Sequence, residues 1–124
     1  MLVLVIEDDD ASRELLTLRL EALGCEVVSV DNPADGLAAA QSSLPGLVNI
    51  DLKLNVDSSA GIRLVRAIKD DPSLRSVPVA VHSVFVAHPS EAPAELPKVE
   101  GYLPKPFKLA ELRELLEAAR LRAS

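Results

Sequence analysis

Apolar residues fall in short runs along this chain, and polar punctuation separates them. Leu2–Ile6 is a continuous apolar run of strand length, followed at once by four acids, Glu7 to Asp10. A run this uniformly apolar predicts a strand covered on both faces, as in a parallel sheet. Ala11, Leu15, Leu18 and Ala22 then recur at helical spacing, and Gly24 is placed to end that helix. Glu26–Val30 reads as a second strand. Asp31 or Asn32 can cap a second helix that has Pro33 at its first position. Leu47–Ile50 predicts a third strand running out at Asp51, and Ile62, Val65 and Ile68 mark a third helix. Val77–His82 and Gly101–Leu103 read as two further strands. Leu109, Leu112, Leu116 and Ala119 define a closing helix, from Lys108 to about Arg122.

Strand and helix alternate nearly throughout, which predicts an α/β fold: a doubly wound, five-stranded parallel sheet of flavodoxin-like type. No repeat, linker or low-complexity stretch interrupts it, so residues 1–124 read as a single domain with no output domain attached. The exception to the alternation is Phe85–Lys98. A fourth helix belongs there, but Pro89, Pro93 and Pro97 leave room for one short turn at most, and an irregular proline-rich segment is expected.

Composition narrows the function. Aromatics make up 2% of the chain, which leaves no stacking platform for single-stranded nucleic acid. The net charge of −6, without a basic stripe, argues against phosphate-backbone binding. Cys25 is the single cysteine, so neither a disulfide framework nor a cysteine metal cluster is expected. No apolar run nears the ~20 residues of a membrane span, and no basic leader precedes Leu2. The expected setting is cytoplasmic.

Candidate chemistry gathers where such a fold puts it. In open α/β sheets the functional crevice lies outside the carboxyl ends of the strands. Those ends carry Glu7 and Asp8, Asp51, His82 and Ser83, and just beyond the last strand Lys105, set between Pro104 and Pro106. Two carboxylates ~4 Å apart repel by roughly 4 kcal/mol at an effective dielectric of 20, so folding alone does not favour such a cluster. A hard divalent cation relieves it, and Mg²⁺ takes one or two carboxylates together with water and phosphate oxygens. A lysine opposite the metal supplies a second positive charge for a phosphoryl group. The flanking prolines stiffen the segment that carries Lys105.

Four segments in this order, "VLVIEDD" at Val3–Asp9, "VNIDLKL" at Val48–Leu54, "VPVAVHS" at Val77–Ser83 and "YLPKPF" at Tyr102–Phe107, resemble the receiver domain of two-component response regulators, of the single-domain CheY-like kind. The resemblance spans essentially the whole chain. It implies a Mg²⁺ site with Asp8 as direct ligand, Glu7 acting through water, Asp51, and the backbone carbonyl of Lys53. It implies Asp51 as the phosphorylated residue, with Ser83 and Lys105 holding the phosphoryl group. Tyr102 becomes the aromatic switch that turns inward as Ser83 moves, and Lys105–Pro106 a candidate cis bond. The implied partners are a histidine kinase or histidine phosphotransfer protein as donor and a downstream protein target, with a homodimer possible and neither nucleic acid nor membrane involved. Such a chain catalyses only its own phosphorylation and dephosphorylation.

Several residues depart from the family pattern. Asn55 replaces a usual proline, the loop from Asp51 to Gly61 is about two residues longer than typical and carries Asp57, and Val84 follows Ser83 where Ala or Gly is usual. These departures, with the proline-rich segment, keep a second reading open: a degenerate receiver acting as a phosphorylation-independent binding module. A third, a phosphatase using Asp8 and Asp10 as a DxD pair, lacks any segment able to cover a substrate.

Overall fold

A computed structural model describes residues 1–53, 59–84, 86 and 88–123. Five strands, β1 (Leu2–Ile6), β2 (Glu26–Val30), β3 (Leu47–Asp51), β4 (Val79–Ser83) and β5 (Gly101–Pro104), form one parallel sheet in the order β2-β1-β3-β4-β5. The α-helices are α1 (Asp10–Ala22), α2 (Pro33–Ser43), α3 (Ala60–Asp70) and α4 (Leu109–Ala123). Between β4 and β5 the described residues hold a single turn of 3-10 helix, Pro89–Glu91. β4 begins two residues later than the apolar run suggested, because Pro78 has no N–H to give a ladder.

Strand side chains alternate between two cores. Leu4, Ile6, Val48, Ile50, Val79 and Val81 meet Leu64, Val65 and Ile68 of α3 on one face. Val3, Val5, Leu47, Ala80 and Leu103 meet Leu16 and Leu20 of α1, and Leu112 and Leu116 of α4, on the other. This two-sided burial is why the central strands read as unbroken apolar runs.

Helix α1 corrects the sequence reading. Ala11, Leu15, Leu18 and Ala22 all face solvent, and Leu16 and Leu20 go into the core. Leucines at 15, 16, 18, 20 and 23 give the helix two apolar stripes, and periodicity alone does not choose between them. The capping residue is Asp9, whose carboxylate accepts the Ser12 N–H at 2.8 Å. Asp10 begins the helix and pairs with Arg13 at 2.6 Å. At the far end Gly24 takes a φ of +88°, a left-handed conformation that suits glycine. Asn32, one of the two candidate caps for α2, is the one used: its side chain accepts from the Asp35 N–H at 2.9 Å.

Candidate functional site: an acidic cleft with one lysine

Parallel pairing brings the strand ends into a common edge. Ile6 pairs with Ile50, so Glu7 and Asp8 leave β1 beside Asp51 at the end of β3. Asp51 lies on the rung with His82, and Ser83 on the rung with Pro104. One carboxylate oxygen from each of Glu7, Asp8 and Asp51 lies within 4.8 Å of the others. This geometry suits a small hard cation, since three oxygens at that spacing can converge on one ion. Lys53, two residues past the strand, donates its N–H to Asp51 Oδ1 at 3.1 Å and keeps its side chain exposed.

Lys105 closes the cleft from the β5 side. Its Nζ lies 3.3 Å from Asp51 Oδ2 and 2.5 Å from Glu7 Oε1. The ammonium is shared between the two carboxylates, and Glu7 holds the nearer end. Glu7 is buried, and its pKa is raised, first by desolvation and then by the facing Asp51 carboxylate, with Lys105 pulling the other way. Burial pushes the Lys105 ammonium down, but the hydrogen bond to Glu7 and the charge of both carboxylates outweigh it, and the pKa is raised. The backbone N–H of Lys105 donates to the Ser83 carbonyl at 3.0 Å, tying the lysine segment to the end of β4. The Lys105–Pro106 peptide is cis, the isomer the resemblance implies.

The two faces of the sheet divide the remaining residues. Ser83, buried, continues the alternation of Val79 and Val81, and Tyr102, half-buried, packs on that same core. The two residues of the inferred switch therefore share one face. Val84 is 65% exposed and lines a cleft of about 440 Å³ with Leu15, His82, Lys105, Pro106 and Phe107. Asn55, Asp57 and Phe85 lie outside the described residues.

His82, named above only as a strand-end residue, was given no role from the sequence, and Asn49 was not singled out. Both are buried, on the face covered by α1 and α4. The His82 imidazole meets Phe107 edge-on at 5.9 Å and donates toward the Pro104 carbonyl. Desolvation holds its pKa down at about 4, helped by the Lys105 charge and opposed by Pro104. Asn49 Oδ1 and His82 Nε2 are buried with no hydrogen-bond partner among the described residues. A polar residue within an apolar run of β3 is the sequence signal that could have found Asn49.

Comparison with known proteins converges on one family. A polar-differentiation response regulator, DivK, of Brucella anthropi is 26% identical over 116 residues, 94% of this chain and 93% of that protein. A CheY-like response regulator receiver domain from Methylobacillus flagellatus superposes with a TM-score of 0.80 at 26% identity, covering 96% of this chain and 98% of that one. The receiver domain of the sensor histidine kinase PA1611 from Pseudomonas aeruginosa, which has a magnesium ion coordinated in its active site cleft, gives a TM-score of 0.79 at 25% identity, covering 99% and 98%. The response regulator receiver domain model matches residues 3–117, and with the sheet order and the acidic cleft already in place, this chain belongs to the response regulator receiver family.

Proposed function

We propose that the chain is a working receiver, which takes a phosphoryl group from a phosphohistidine onto Asp51 in a Mg²⁺-dependent reaction and passes the signal to a protein partner. The observation that carries this reading is the convergence of Glu7, Asp8 and Asp51 within 4.8 Å of one another, with Lys105 at 3.3 Å from Asp51. A carboxylate cluster of this kind is costly without a cation to neutralise it.

Glu7, Asp8 and Asp51, with the Lys53 carbonyl, are the groups that would hold the metal. Bound there, Mg²⁺ neutralises charge on the phosphoryl oxygens as they pass from donor to acceptor. An Asp51 carboxylate oxygen attacks phosphorus, the P–N bond to the donor imidazole breaks, and the electron pair leaves with the imidazole nitrogen. Lys105, held by two carboxylates and by the Ser83 carbonyl, offers its ammonium to a phosphoryl oxygen; Ser83 offers its hydroxyl to another. Positioning and fixed charge do most of the work in such a transfer. Ser83 and Tyr102, on one face of the sheet, then bias the population toward a second conformation that a partner reads. The outward stripe of Leu15 and Leu18, beside the cleft that holds Val84 and Phe107, gives a protein donor an apolar surface to rest on.

The degenerate-module reading keeps one specific support, the closer pairing of Lys105 with Glu7 than with Asp51. Phosphoramidate, a small P–N donor, separates the two. In the presence of Mg²⁺ the wild type gains one phosphoryl mass and Asp51→Asn gains none. An unmodified wild type at saturating donor would leave the binding-module reading standing.

A further inference from the structure

His82 is buried at 3% exposure and takes no part in the chemistry so far described. Its surroundings point at the lysine segment. The imidazole donates toward the carbonyl of Pro104, the residue immediately before Lys105, and meets Phe107, two residues after it, at 5.9 Å. The peptide between His82 and Val84 reaches the same segment a third time, through the Lys105 N–H on the Ser83 carbonyl at 3.0 Å. Since Nε2 has no partner among the described residues, Nδ1 carries the donated proton.

We propose that His82 is a positioning residue for Lys105. Its Nδ1–H and its ring edge fasten the Pro104–Phe107 segment from the α1 and α4 side, and this sets where the ammonium stands between Glu7 and Asp51. An aliphatic residue would fill the same volume but leave the Pro104 carbonyl without its donor. The segment would then keep the Ser83 carbonyl, the two carboxylates and the packing of Phe107 but lose its tie to β4 through His82, and misplacement of a reacting group by an ångström is worth up to about 100-fold in rate. The inference rests on the reading that Asp51 accepts a phosphoryl group.

The test compares His82→Leu, which cannot donate, with His82→Asn, whose amide stands where Nδ1 does. The rate of Asp51 phosphorylation is measured at saturating Mg²⁺ and acetyl phosphate, with Mg²⁺ affinity read separately by titration. His82→Leu should be about ten-fold slower with unchanged Mg²⁺ affinity, and His82→Asn should recover to about two-fold of wild type. In a Lys105→Met background His82→Leu should slow the reaction no further, as two residues acting through one contact require. An equal slowing in both backgrounds, or an Asn variant as slow as the Leu variant, overturns the proposal. Should the Leu variant not fold, His82→Gln, whose amide reaches the Nε2 position instead, replaces it. A wild type that takes no phosphoryl group defeats the functional reading instead. The positioning claim is then read from the two Lys105 Cε proton signals: distinct in wild type and His82→Asn, merged in His82→Leu. Signals unchanged by the Leu substitution would overturn it.

Discussion

Lys105 bridges two carboxylates that face each other across the cleft. Replacing it by Met leaves Glu7, 1% exposed, without its cation. Loss of one partner from a buried pair costs about 3 kcal/mol, part of which Glu7 recovers by taking a proton. Urea unfolding at neutral pH should show a loss of that order, and a smaller loss at low pH. Asp51→Asn should do the opposite, raising stability in the absence of Mg²⁺ by removing one of three like charges. His82 makes a pH prediction of its own. Its folded pKa of about 4 lies below the ordinary 6.5, so between these values the unfolded chain binds a proton that the folded chain does not. Stability from this residue is therefore complete above pH 6.5 and declines as the pH falls toward 4, by roughly 3 kcal/mol over the window. Unfolding free energies measured at pH 7, 5.5 and 4.5 should fall less steeply for His82→Asn than for wild type; parallel declines would contradict the assignment. At this scale the gathering of Glu7, Asp8, Asp51 and Lys105 on one edge was legible from strand-end position, whereas the parts given to Ser83 and Tyr102 came from the family resemblance. The sharing of Lys105 with Glu7 was not legible, since it depends on a distance between residues 98 positions apart.

The elements place these residues through close contacts that a linear pattern does not display. Gly61, the second residue of α3, donates its N–H to the Leu52 carbonyl at 3.1 Å. A Cβ there would stand 2.4 Å from that carbonyl oxygen and 2.7 Å from the Asp51 carbonyl oxygen, both backbone atoms. Gly61→Ala must therefore push α3 away from the end of β3. We expect a loss of about 2 kcal/mol together with weaker Mg²⁺ binding, read by calorimetry and by titration. Helix α1 supplies the contrasting case. Leu15→Ser and Leu18→Ser, on the outward stripe, should each change stability by under about 0.5 kcal/mol, and Leu16→Ala, fully buried, should cost about 3. Sequence periodicity had favoured the outward stripe. It reports spacing, and a helix with leucines on both sides satisfies it twice; only the packing of α1 against the core that holds Val3 and Val5 decides which stripe is buried.

At the scale of the molecule, the order β2-β1-β3-β4-β5 gathers the ends of β1, β3, β4 and β5 along one edge and leaves β2 outside. Alternation of short apolar runs with helical spacing was enough to read a doubly wound parallel sheet, though not its strand order, because both faces of the sheet are covered and the central strands are apolar throughout. Register was not legible: that Asp51 shares a rung with His82, and Ser83 with Pro104, follows from strand pairing that no single segment encodes. The same pairing divides the work between the faces, with Ser83 and Tyr102 toward α3 and His82 and Phe107 toward α1 and α4. A cation in the acidic cleft should stabilise the whole chain through binding to the folded state alone, by about 2.7 kcal/mol at a Mg²⁺ concentration 100 times its Kd. Because Glu7 has a raised pKa, this gain should disappear at a higher pH than an ordinary carboxylate would set.

The most direct test of the account is the intact mass of the protein after incubation with acetyl phosphate, with and without Mg²⁺, for wild type and Asp51→Asn. The account predicts a single phosphoryl adduct on the wild type that requires Mg²⁺ and is absent from the variant. An adduct that forms on Asp51→Asn, or a wild type that stays unmodified while it binds Mg²⁺, would contradict it.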